Sequence, residues 1–273
     1  VTESILAFLF GLIIGSFLNV CIYRWPRDLS VVRPRSHCPA CEHTIAWYDN
    51  IPLASFLLLR GRCRHCGARI RVRYPLVEFL TGVLFFLYVE ALGPSLPALR
   101  DCIFAALLIG LIFADLEERI LPDEFTLGGT VLGIVFAFIV PVPDHTAQAL
   151  LWLAGHEPHG LVQSVAESVM GAVLPAALLW SGGWLYEKIR HREGLGFGDV
   201  KLIAMVGAFL GLRGALVTLV AGSMAGSLIG YAYILATKKD PKTYELPFGT
   251  FLGFAALIAS LSTERILAWS GFL

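Results

Sequence analysis

Long apolar runs separated by short polar stretches dominate the chain. Runs near the roughly 20 residues needed to cross a bilayer fall at about 4–23, 74–93, 98–117, 124–142, 163–186 and 246–268. The stretch 200–236 is too long for one crossing. Arg213-Gly214 interrupts it, which predicts two spans with a tight turn there, the shorter covering about 200–212. The pattern predicts an all-α polytopic membrane protein with about eight transmembrane helices. The run at Ile5–Ile14 has no positive flank before it and no small-residue cleavage site after it, so it reads as a retained membrane anchor. The segment 141–162 is less apolar and is expected to hold a short amphipathic helix on the membrane surface.

Composition agrees with this reading. The chain is 56% hydrophobic, with a mean hydropathy of +0.71, against ~45–50% apolar residues in soluble domains. Formal net charge is zero, so no global field draws it to nucleic acid. The local charges are uneven. Segment 24–73 carries ten arginines and no lysine. If the first helix runs from outside to inside, 18 of the 21 Lys and Arg residues fall on the cytoplasmic side, leaving Arg100, Arg213 and Arg265 outside. This predicts a multi-pass membrane protein with 24–73 in the cytoplasm and 141–162 outside. The arginines serve as topology signal, and anionic headgroups are the alternative partner.

Segment 24–73 also holds CPAC (Cys38, Cys41) and CRHC (Cys63, Cys66), separated by 21 residues. Two CxxC pairs supply four thiolates at the spacing of a tetrahedral zinc site. A loop of this size has a thin apolar core, so a structural metal would hold it together. Reduced, unliganded cysteines are the alternative, and disulfides are disfavoured in a reducing compartment. His37, His43 and His65 are spare ligand candidates. Cys21 and Cys102 fall on predicted helices, where lone cysteines are packing residues.

Two acidic stretches fall at the predicted cytoplasmic face. In ADLEERILPDEF (114–125), Asp115 still lies within an apolar run, and in GLGFGDVKL (194–202), Asp199 begins one. Carboxylates at the edge of a bilayer are costly and by default functional. Two that face each other tend to share a proton. One can then act as base on a water while the protonated one polarises a carbonyl, the chemistry of aspartic proteases. The alternative is a pair of helix-end residues. That suits Asp199 at a helix start and does not suit Asp115 at a helix end. The glycines before Asp199 would let a peptide backbone approach closely. They do not make a dinucleotide or S-adenosylmethionine loop, which needs a preceding strand. Lys201, two residues on, faces away from Asp199 on a helix and is expected to meet headgroups or water.

GSFLNVCIYRWP (15–26), the paired CxxC loop, YPLVEFLTG (74–82), DLEERILPDEFTL (115–127), GFGDVKL (196–202) and PFGTFL (247–252) occur together in this order. In this the chain resembles the bacterial type IV prepilin peptidases over nearly its whole length. The resemblance implies a GxGD-type intramembrane aspartic protease with Asp115 and Asp199 as its catalytic pair, and a cytoplasmic zinc-type loop held by Cys38, Cys41, Cys63 and Cys66. It implies cleavage of the leader of type IV prepilins or type II secretion pseudopilins after a glycine, and N-methylation of the new N-terminus from S-adenosylmethionine. Asp123 stands where relatives carry Asn or Asp, and it reads as a helix-end residue. Glu78 and Asn19 lie in family motifs and are candidates for contact with methyl donor or substrate. The expected organisation is a first transmembrane helix (1–23), a four-cysteine domain (24–73) and a transmembrane peptidase domain (74–273). The expected partners are prepilin substrates and membrane lipid, with no nucleic acid. Two other readings remain open. A zinc-loop scaffold predicts that both aspartates tolerate Asn. A proton or cation relay predicts a polar path to the outer face, and few polar residues follow Asp115 and Asp199 in their spans.

Overall fold

The structure, a computed structural model, describes residues 1–142, 144–153, 155, 159–191, 195–237 and 246–262. Among them the regular elements are helical, and pairing of the strand type is confined to two isolated bridges in the cysteine loop. The elements are α1 (Thr2–Arg24), α2 (Ala54–Leu58), α3 (Arg73–Leu92), α4 (Leu96–Glu118), α5 (Asp123–Ala137), α6 (Thr146–Leu153), α7 (Gly160–Arg190), α8 (Phe197–Thr237) and α9 (Phe248–Leu261). Five described helices, α1, α3, α4, α7 and α8, are long and apolar enough to cross a membrane. α5 has 15 residues and α9 has 14. The predicted run 246–268 extends beyond the described residues. α6 occupies the segment expected to carry a short surface helix.

The chain divides into two compact units, Val1–Phe113 and Ala114–Leu273. In the first, α1 and α3 pack together through small residues. A Cβ at Gly15 would stand 2.6 Å from the Glu78 Cα, and one at Gly11 would stand 2.8 Å from the Gly82 Cα. The buried side of α1 holds Ser4, Gly11, Gly15 and Asn19, while Ile5, Leu9, Phe10 and Ile13 are exposed. Leu12, Leu18 and Ile22 are buried beside them; small residues at the helix contact and apolar ones outside are the arrangement expected where lipid is the solvent.

In the second unit α8 packs on α5, α7 and α9. Its break lies at Gly211 (φ 76°, ψ −175°), two residues before the predicted Arg213-Gly214. Only glycine takes this backbone conformation without strain. Asp144 fits against it: its Oδ2 accepts the Arg213 N–H at 2.8 Å, and a Cβ on Gly211 would stand 2.5 Å from that oxygen. The Asp144 carboxylate thus satisfies an orphan amide at the start of the second half of α8. Residues 199–212 of the first half are buried apart from the partly exposed Lys201 and Ala204. A helix apolar all round belongs inside protein, so this half need not be long enough to face lipid across the whole bilayer. Gly207 of α8 and Gly171 of α7 permit a close crossing, since a Cβ at Gly207 would stand 1.9 Å from the Gly171 carbonyl oxygen.

Candidate active site and metal centre

Asp115 lies in the last turn of α4 and Asp199 in the first turn of α8; both are buried. The chain between α4 and α5 brings Leu121 against the starts of two other helices. A Cβ at Gly198 would stand 3.2 Å from Leu121 Cβ, and one at Gly249 would stand 2.9 Å from Leu121 Cδ1 and 3.3 Å from Asp115 Cγ. The glycine before Asp199 therefore lets Leu121 seat between α8 and α9. The two carboxylates lie within Coulombic reach of each other although 84 positions apart in the chain.

The start of α9 supplies a partner that sequence reasoning missed. Asp115 Oδ2 accepts the Thr250 backbone N–H at 2.6 Å and the Thr250 Oγ1–H at 2.8 Å. Thr250 is the third residue of α9, so its amide is one of the orphan donors of a helix N-terminus, where an acceptor with negative charge is favoured. The signal was present in PFGTFL, but only the placing of α9 against α4 gives it meaning. Removal of the hydroxyl in Thr250→Val deletes one hydrogen bond to a carboxylate, worth about 1.5–3 kcal/mol. Leader cleavage should fall about 10–100-fold, and Thr250→Ser should restore most of it. Unchanged turnover in Thr250→Val would remove Thr250 from the site.

Lys201 departs from expectation. Its ammonium donates to Asp123 at the start of α5 instead of reaching headgroups or water. Asp123 is a helix-end residue, as expected, and the pair ties the start of α8 to that of α5. Gly194 lies outside the described residues.

In the first unit the sulfurs of Cys38, Cys41, Cys63 and Cys66 all lie within 4.8 Å of one another, with Cys38 and Cys66 3.8 Å apart. Four sulfurs at zinc–thiolate distance from a tetrahedral centre would be about 3.8 Å apart. The four cysteines therefore form a cluster able to hold a metal ion, and its spacing is consistent with zinc. None of His37, His43 and His65 belongs to it; His43 and His65 instead stack with ring centroids 3.5 Å apart.

The two CxxC pairs fold alike. Cys38 N–H donates to the His43 carbonyl and Cys63 N–H to the Ala68 carbonyl, while Glu42 and Gly67, each just after the second cysteine, take positive φ and donate back to Cys38 and Cys63. Backbone N–H groups of Cys66 and His65 pull the Cys63 thiol down to about 7. At Cys41 the His43 amide acts the same way, but desolvation and the other three thiols push it up to about 12.

Arg64 grips Asp49 through two nitrogens, at 2.6 and 2.8 Å, and holds that carboxyl below its usual range. Arg24 is buried and donates to the Ser30 and Pro34 carbonyls, each at 2.7 Å. These two arginines build the loop, which goes beyond the topology signal expected of them. Cys21 and Cys102 are buried, as expected of packing residues. Glu78 and Asn19 both have partners here. Glu78 Oε2 accepts the Leu53 N–H at 2.9 Å, and Asn19 Nδ2 donates to the Tyr74 carbonyl at 3.0 Å and the Gly15 carbonyl at 3.3 Å.

Comparison with known proteins places this architecture. Residues 9–92 match the bacterial Peptidase A24 N-terminal domain and residues 102–231 match the type IV leader peptidase family. The chain is 34% identical over 292 residues to the prepilin leader peptidase/N-methyltransferase of Aeromonas hydrophila, an alignment that covers 97% of this chain and 92% of that protein. The chain belongs to the type IV leader peptidase family. It is also 42% identical over 244 residues to the Myxococcus xanthus protein of the same name, covering 88% of this chain and 66% of that one. A Klebsiella pneumoniae relative, again a prepilin leader peptidase/N-methyltransferase, is 38% identical over 227 residues, 80% of this chain and 90% of the relative. No solved structure matches the chain. Membership in this family agrees with a multi-pass helical membrane protein.

Proposed function

We infer that this protein removes the leader of type IV prepilins or type II secretion pseudopilins after a glycine and N-methylates the new N-terminal residue. What supports this chemistry is that two buried carboxylates, Asp115 and Asp199, lie within Coulombic reach of each other, with Leu121 against the start of α8 and Thr250 hydrogen-bonded to Asp115. One carboxylate takes a proton from a water, which attacks the scissile carbonyl. The other, protonated, hydrogen-bonds the carbonyl oxygen as charge develops there. The proton gained from water then passes to the leaving amine. Asp123 and Lys201 act by position, holding the helix starts that bear the site.

Zinc would be held by the four cysteines as a closed structural site, with no ligand position left for water or substrate. It would fix the fold of the loop of residues 24–73, the four-cysteine domain, which the transmembrane peptidase domain (74–273) follows in the chain. S-adenosylmethionine would supply the methyl group. The glycine run does not suit it, since Gly198 is taken up by Leu121 and Gly196 by Asp199. No residue is assigned to hold it.

The uneven placing of Lys and Arg supports a site at the cytoplasmic face of the inner membrane. A reporter enzyme active only in the cytoplasm should work when inserted within 24–73, and a reporter active only outside should work near 145–160. The reverse pattern would separate both aspartates from a cytoplasmic substrate. The activity itself is tested with purified protein, a prepilin peptide and S-adenosylmethionine. Mass spectrometry should find the peptide cut after the glycine and the new N-terminus heavier by one methyl group. An uncut peptide would overturn the assignment, and a cut but unmethylated one would leave a peptidase alone.

A further inference from the structure

We propose that residues 51–59 form a wedge inserted into the acyl-chain layer of the bilayer, held at that depth by Glu78, with Leu57 and Leu58 meeting lipid.

The connection to Glu78 sets the depth. Glu78 is buried, five residues into α3, which starts at Arg73. At 1.5 Å per residue it lies about 7.5 Å along the helix from Arg73. Arg71 and Arg73 mark the headgroup level, where arginine is favoured. The Leu53 N–H reaches Glu78 Oε2 at 2.9 Å; a helical side chain leans back toward the N-terminus, so the chain just before α2 lies between the level of Arg73 and that of the Glu78 backbone. This is unusual for a loop between two spanning helices.

The local backbone is built to make the descent. Leu53 has φ 58° and ψ −48°, and the Ala54 N–H donates to the Pro52 carbonyl at 2.6 Å. These features define a γ-turn of the rare, strained kind. A strained non-glycine residue persists only where its surroundings hold it, and here the buried carboxylate does so. Ser55 fastens the rest: its hydroxyl donates to the Tyr48 carbonyl at 2.9 Å and accepts the Ile51 N–H at 3.0 Å.

Two apolar side chains of this anchored segment are left largely uncovered by the described residues. Leu57 is 73% exposed and Leu58 is 82% exposed. In water two adjacent leucines so exposed would be unfavourable, and at acyl-chain depth they are in their preferred solvent. The flanks fit a membrane surface. Residues 51–77 contain six arginines and no Asp or Glu. Trp47 and Tyr48, both exposed, are the amphipathic aromatics favoured at the interface. The wedge does not depend on the catalytic reading.

The test uses the full-length protein reconstituted in phosphatidylcholine–phosphatidylglycerol vesicles that carry a lipid with a photoactivatable diazirine in its acyl chain. After illumination, modified residues are mapped by mass spectrometry. Residues 56–59 should be labelled as strongly as the lipid-facing Phe10 and Ile13 of α1. Labelling of α1 without labelling of 56–59 would overturn the proposal, and this arm needs no variant. Glu78→Ala should lose the label on 56–59 while α1 keeps its own, and Glu78→Gln, which still offers an oxygen to Leu53, should retain it. A label in Glu78→Ala equal to that of the wild type would refute the anchoring role. Saturating prepilin peptide should leave the label unchanged. Its loss on adding peptide would assign Leu57 and Leu58 to substrate and not to lipid.

Discussion

Asp115→Asn and Asp199→Asn should each reduce leader cleavage by about 10²–10⁴-fold, the contribution of a placed general acid or base. Asparagine keeps size and polarity but cannot exchange the proton. For Asp115 it also keeps an oxygen for the Thr250 amide and hydroxyl, so the local hydrogen bonds survive. Membrane insertion and yield should therefore be unchanged, and the loss should fall on kcat. Cleavage should be assayed on a prepilin peptide in detergent. Substantial turnover by either variant would end the aspartyl mechanism and favour a scaffold. On the proposal that the pair shares one proton, wild-type cleavage should follow a bell-shaped pH profile. A rate flat across several pH units in folded enzyme would contradict that coupling.

The four cysteines were legible in sequence because a metal-type cluster depends on residue type at short spacing. CPAC and CRHC predict a four-sulfur cluster without any knowledge of packing. Asp115 and Asp199 are conspicuous because charge is rare where apolar runs begin and end. What brings them together was not legible. Thr250, 135 positions from Asp115, gains its role only when α9 starts beside the end of α4. The Lys201–Asp123 pair likewise depends on two helix starts meeting, and helical periodicity alone pointed Lys201 to water.

The break in α8 shows how local signals can mislead by a small margin. Arg213-Gly214 looked like the interruption because a charge stands in an apolar run. The backbone breaks at Gly211 instead, where positive φ is needed and where Asp144 leaves no room for a Cβ. The burial of residues 199–212 was also hidden, since a helix inside protein and one inside lipid are both apolar. Five helices have clear spanning length, but length cannot separate a full crossing from a half-helix enclosed by its neighbours.

The four-cysteine cluster should bind one zinc ion per chain, and its loss should weaken N-methylation more than cleavage. Both parts follow from where the metal would sit. The sulfurs lie within 4.8 Å of one another on two like turns, so four thiolates close the coordination sphere and leave no place for chemistry. The metal would then contribute shape. Structural zinc sites of this kind bind with apparent free energies of about 10–16 kcal/mol near neutral pH, enough to decide whether a loop with little apolar core is folded. The proposed cleavage rests on Asp115 and Asp199, both residues of the second unit, and calls for no metal. Cys63→Ser with Cys66→Ser should abolish zinc in protein purified without chelator and reduce methyl transfer strongly, while peptide cutting persists at a lower rate. EDTA should act in the same order, methylation first. Absence of zinc from the wild type would remove the metal site. Equal loss of both activities, with the membrane helices still folded by circular dichroism, would make the loop a docking surface for substrate in general.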